Sequence, residues 1–104
     1  MKSYLAIIEY FGVRNQMKKL NEECFEFLEA VDNYEDELAF HLGGSGCDNM
    51  CREHVIDEMG DVLVLLTEFI AKYNIKQEEL DPYMDFKLQR TLDRIKSKYY
   101  EKNH

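Results

Sequence analysis

Two stretches of this chain, KLNEECFEFLEAV and HVIDEMGDVLVLL, set apolar residues at alternating three- and four-residue spacing, and each carries acids three apart: Glu23 with Glu26, then Glu58 with Asp61. Apolar residues recurring at i, i+3, i+4 and i+7 mark an amphipathic helix. Acids at i and i+3 share one face of a turn. The pattern therefore demands helices whose carboxylates lie beside the stripe that seeks the core. With one Pro and five Gly in 104 residues, long helices are favoured over a turn-rich sheet.

Residues 3–11 read as a short helix, although strand stays open for so brief a run, and Gly12 marks a break. A long helix is expected over 13–40. With 100° between residues and Leu20 at zero, Val13, Met17, Leu20, Cys24, Phe27, Leu28, Val31, Tyr34 and Leu38 lie between about −40° and +80°, a broad core-facing stripe. HLGGSGCDN, residues 41–49, reads as a loop, with Asp48 or Asn49 capping the helix after it. That helix is expected over 50–73, with Val55, Met59, Val62, Leu66, Phe69, Ile70 and Tyr73 inward. Gly60 lies opposite, where it would permit close approach of a neighbouring backbone. Asp81-Pro82 is a helix-start signal, the alternative being an earlier start and a kink at Pro82. The last helix then runs to about residue 99, with Met84, Leu88, Leu92, Ile95 and Tyr99 on one stripe. The expected fold class is all-α: one domain over 1–104, an antiparallel bundle of three long helices plus a short N-terminal helix.

The formal charge of −8 argues against a nucleic-acid binder, which needs a basic footprint. The charge is unevenly spread: residues 1–71 hold 15 acids and 5 bases, residues 72–104 hold 6 acids and 8 bases. Such a chain is suited to hold cations and an anionic ligand together. The longest strongly apolar run, VLVLL, is too short to cross a bilayer. Three cysteines, an odd number, and no signal peptide point to a soluble cytoplasmic protein with free thiols.

On the helical wheels Glu23 and Glu26 fall at about −60° and −120°, Glu58 and Asp61 at about −40° and −100°, so both pairs leave their stripes on the same side. A buried, unpaired carboxylate costs several kcal/mol or takes up a proton. Lys or Arg partners would answer the charge, and Lys87, Arg94 and Lys98 share one flank of the last helix. Four acids converging from two helices are better compensated by a divalent cation, and Mg²⁺ takes hard oxygen ligands together with a ligand's phosphates. Glu22 and Asp57 point further out. Cys47, Cys51 and His54 match no common zinc module. The Glu-x-x-His pairs of a di-iron bundle reduce here to Glu101 and His104, at the C-terminal end.

The framed motifs KLNEECFEFLEA and DEMGDVLVLL, followed by YNIKQEELDPYMDFKLQRTLDRI, resemble the MazG-like all-α nucleoside triphosphate pyrophosphohydrolases over roughly residues 13–96. The resemblance implies Mg²⁺-dependent cleavage between the α and β phosphates, giving a nucleoside monophosphate and pyrophosphate. It implies a homodimer or higher homo-oligomer, and Glu23, Glu26, Glu58 and Asp61 as metal ligands. The long loop before the second motif departs from the tidiest members of that family. Glu26 is the first choice to accept a proton from the attacking water, with Glu58 beside it at the reacting centre. Lys87, Arg94 and Lys98, and then Lys72, are candidates to contact phosphates, and Tyr83 or Asn15 to touch the base. Two other functions stay open: a dUTP diphosphatase of related fold, and a non-catalytic helical adaptor.

Overall fold

Gly12 sets the first corner. Its φ of +89° belongs to the left-handed region that glycine enters without strain. Its N–H donates to the Ile8 carbonyl at 2.9 Å, closing one helix, and its carbonyl accepts from the Gln16 N–H at 3.1 Å, opening the next. Asn15 Nδ2 donates to the Phe11 carbonyl at 2.7 Å, satisfying an acceptor that the first helix leaves orphaned. A Cβ at Gly12 would meet nothing within 4 Å, so the constraint is the backbone alone. Gly12→Ala should lower stability by about 1–2 kcal/mol, read as a shift in the denaturation midpoint without a change in its slope.

The computed structural model describes residues 2–40 and 46–102. They form four helices: α1 (Lys2–Phe11), α2 (Val13–Phe40), α3 (Gly46–Lys72) and α4 (Gln77–Lys102), with no strand among the described residues. The fold class is all-α, one short N-terminal helix and three longer ones. Two sequence expectations shift. Helix α3 begins at Gly46, so Asp48 and Asn49 are helical rather than caps; His41–Ser45 of the expected loop lie outside the described residues. Helix α4 begins at Gln77, which selects the earlier of the two starts and places Pro82 inside the helix.

The chain divides into two compact units, Met1–Tyr73 and Asn74–His104. In the first, α3 packs on both α2 and α1, and α1 also touches α2. Helices α2 and α3 run antiparallel: Gln16 pairs with Glu68 at one end, while Glu23 and Glu26 meet Glu58 further along. Their seam follows a heptad. In α2 the covered positions include 13, 16, 20, 23, 27, 30 and 34, and in α3 they include 51, 55, 58, 62, 65, 69 and 72. This alternation of three and four is the knobs-into-holes spacing of paired helices.

That seam is rotated from the arc of apolar side chains. Met17, Leu28 and Leu38, expected inside, are 46%, 62% and 45% exposed, whereas Gln16, Glu23 and Ala30 are buried. Met59 and Leu66 on α3 and Tyr73 just beyond it are likewise exposed. The physical reason is that the partner helix sets which face closes. Ala30 is buried on α2, and the acid-bearing edge with Gln16 and Glu23 turns inward with it. Among the described residues the buried set is Ile8, Ala30 and Leu65 with Gln16, Glu23 and Glu68, as many polar as apolar. Gly60, expected to admit a neighbouring backbone, faces open space instead: a Cβ there would meet nothing within 4 Å.

The second unit opens where Asn74, at φ +50°, follows the end of α3. The Lys76 N–H donates to Glu79 Oε2 at 2.9 Å, and the Lys76 carbonyl accepts from the N–H groups of Glu79 and Leu80. This is the backbone half of a capping box, and it starts α4 before the proline. Met84, Leu88, Leu92 and Ile95 are exposed on α4; the side chain of Tyr99 lies outside the described set. Among the described residues no helix is long and apolar enough to cross a membrane.

Candidate metal centre and adjoining cleft

Heptad positions of α2 and α3 that would ordinarily hold Leu or Val hold Glu23 and Glu58. Glu26 follows Glu23 by one turn. Oxygens of Glu23, Glu26 and Glu58 all lie within 4.8 Å of one another. The side chains of Glu23 and Glu58 are only 10% and 12% exposed, while Glu26 is exposed. Glu23 Oε2 and Glu58 Oε2 are buried without a hydrogen-bond partner. Carboxylates that are all ionised have nothing to donate to one another, so two reliefs are available: a shared proton or a cation.

The proton's pull is visible at Glu26, whose pKa rises above the ordinary 4.5. A hydrogen bond with Glu23 is the largest cause, followed by the charge of Glu23, loss of solvation and the charge of Glu58; Lys19 opposes the rise. Lys19 Nζ lies 3.3 Å from Glu23 Oε1, and that hydrogen bond and charge raise the lysine's own pKa. One lysine at one edge leaves the two inner oxygens unanswered. The donor set, hard oxygens with unmet valence, suits a divalent cation such as Mg²⁺. Without metal, the raised pKa means that the folded state holds the Glu26 proton more tightly than the unfolded chain. Its stabilising contribution is complete below about pH 4.5 and is lost as the pH climbs through the raised value. In chelator, Glu26→Gln should flatten this fall in melting temperature relative to wild type.

A second gathering of donor atoms shares Glu58: His54, Asp57 and Glu58 on one turn of α3. His54 Nε2 is 3.9 Å from Glu58 Oε1, so among the described residues His54 groups with acids rather than with thiols. The side chain of Cys47 and residue His104 lie outside the described set.

Beside the acids, within the first unit, is a cleft of about 550 Å³. Asp61 lines it, exposed and one turn on from Glu58, together with Glu22, Glu23 and Lys19. Asp61 is therefore next to the gathered oxygens but not among the three that meet. At the cleft's other end, Gln16 Nε2 donates to Glu68 Oε1 at 2.7 Å, and both residues are buried. Residue spacing alone did not single out this pair. Gln16 is seven residues before Glu23 on the α2 seam, but Glu68 falls between the α3 seam positions 65 and 69. Asn15 also lines the cleft.

Lys72, one-third exposed, pairs with Glu9 at 3.3 Å. On α4, Lys87, Arg94 and Lys98 are exposed, and Tyr83 is 68% exposed.

No curated protein and no solved structure matches the chain. Residues 11–104, which include both acidic motifs and all of α2, α3 and α4, match the MazG nucleotide pyrophosphohydrolase domain. With acids clustered on two of those helices, the match supports a hydrolase, and the chain belongs to the MazG nucleotide pyrophosphohydrolase domain family.

Proposed function

We propose that the protein is a Mg²⁺-dependent nucleoside triphosphate pyrophosphohydrolase that releases a nucleoside monophosphate and pyrophosphate. The observation that carries this reading is the meeting of Glu23, Glu26 and Glu58 within 4.8 Å, with buried unpartnered oxygens on two of them. Glu23, Glu26 and Glu58 would hold the ion, and Asp61 would join them from the cleft side. Bound Mg²⁺ supplies neutralisation of phosphate charge and a more acidic water. The chain's own groups then do the rest. Glu26, the exposed one of the three acids, is the group proposed to accept a proton from the attacking water. Lys19, at the junction of acids and cleft, puts positive charge beside the phosphates. Phosphoryl transfer is driven mainly by placement and charge, and Lys72, Lys87, Arg94 and Lys98 are the further bases proposed to contact phosphates.

Self-association belongs to the same proposal. Phe25, Leu28, Met50 and Leu63 are at least half exposed on α2 and α3, and covering such side chains is the usual reason for a symmetric pairing. Sedimentation would show a dimer or larger assembly.

The deciding experiment incubates the purified protein with a panel of NTPs and dNTPs with and without Mg²⁺ and identifies the released phosphate. Metal-dependent pyrophosphate release supports the proposal. Orthophosphate release, or no cleavage of any nucleotide, sinks it. Cleavage confined to dUTP gives the narrower diphosphatase.

A further inference from the structure

The cleft has two ends, and the acids use only one. At the other, Glu68 is 2% exposed and Gln16 7%, joined by a 2.7 Å hydrogen bond. A carboxylate accepts hydrogen bonds, so Gln16 must turn its amide nitrogen towards Glu68, leaving the amide oxygen as a further acceptor. Asn15, also lining the cleft, commits its amide nitrogen to the Phe11 carbonyl at 2.7 Å and likewise keeps its oxygen available. This end of the cleft is therefore rich in acceptors. Phe11, Val64 and Leu65 give it apolar walls. A flat ring with donor hydrogens on its edge fits that combination, with its phosphates directed towards Glu23, Lys19 and Asp61.

We infer that the Gln16–Glu68 pair reads the nucleobase and selects bases that carry an exocyclic amine (adenine, cytosine and guanine) over uracil and thymine. The inference rests on the nucleotide reading above and names its substrate class. An amine donates to the Glu68 carboxylate. At the same place uracil and thymine put a 4-carbonyl, an acceptor set against the Glu68 carboxylate, their one edge donor, N3–H, lying a position further along the ring; facing acceptor to acceptor costs more than the lost bond alone. Glu68 acts here as a specificity-determining residue, remote from the phosphates.

Cytosine and uracil nucleotides make the cleanest comparison, since the rings differ in size by almost nothing. The experiment measures wild type and Glu68→Gln in Mg²⁺, both for hydrolysis of CTP against UTP and for equilibrium binding of their non-hydrolysable α,β-imido analogues. The wild type should favour cytosine by roughly ten- to a hundredfold, the worth of one hydrogen bond to a charged group. Glu68→Gln, which keeps the shape but exchanges an acceptor for a donor, should remove most of that preference while leaving the melting temperature near wild type. Equal use of the two bases by the wild type, a preference for uracil, no binding of either analogue, or an unchanged ratio in Glu68→Gln would overturn the inference. The wild-type ratio decides on its own if the variant does not fold. Selective binding without hydrolysis would sink the pyrophosphohydrolase reading and leave the base selection standing.

Discussion

Glu58→Gln will lower nucleotide hydrolysis by about a hundred- to a thousandfold, the usual cost of deleting one preorganised electrostatic group at a reacting phosphate. Glutamine keeps the volume and one oxygen but not the charge. Glu58 is the only α3 carboxylate among the three that meet, so its loss leaves any cation held from α2 alone. The same substitution has a second, opposite effect. In metal-free protein it removes one of three negative charges crowded within 4.8 Å and supplies a donor to oxygens that lack one. Its melting temperature in chelator will therefore equal or exceed that of wild type, and the gain from adding Mg²⁺ will shrink. A variant that lost activity and melted lower in chelator would indicate a structural glutamate and argue against the metal centre. Glu58→Gln and Glu26→Gln should also be strongly non-additive in metal-free stability, because either one relieves the shared repulsion.

Ile8→Ala will have the largest effect on folding. Ile8 is 1% exposed, one of the three buried apolar residues described, on a helix of ten residues that packs against α3. Cutting a buried isoleucine to alanine costs about 2–5 kcal/mol, from lost transfer energy and the cavity left behind. In a unit of this size that is a fall in melting temperature of about 10 °C or more. The loss will be felt at the cleft as well. Ile8 lies one turn before Phe11, and its carbonyl anchors Gly12. Hydrogen exchange should show α1 and the first turn of α2 opening before α3 and the rest of α2. Uniform weakening of all the helices would contradict the assignment of Ile8 as the anchor of α1.

Much of this was legible from residue spacing. The break at Gly12 and the bounds of α2 follow from one glycine and a long periodic run. The pairing of Glu23 and Glu26 with Glu58 follows from acids leaving two stripes on the same side. What a single helix cannot reveal is where its neighbour will lie. A wheel weights every apolar side chain alike, so it placed Met17 and Leu28 inside. The seam instead closed over Gln16, Glu23 and Ala30. Asp61 matched Glu58 in motif yet lines the cleft rather than meeting the other three acids, since a step of three residues carries it to the edge of the seam. The start of α4 was obscured by a strong local signal: Asp81-Pro82 resembles a helix entrance, but Lys76 and Glu79 supply the cap one turn earlier. Glu68 was hidden because it belongs to no motif and becomes meaningful only opposite Gln16.

The heptad interruption at Glu23 and Glu58 has a consequence for anyone who tries to improve this molecule. A library screened only for heat resistance would drift first to leucine or methionine at these two positions, where the greatest relief is on offer. Its winners would be tough, well-behaved and inert, so a useful screen must demand turnover from the first round.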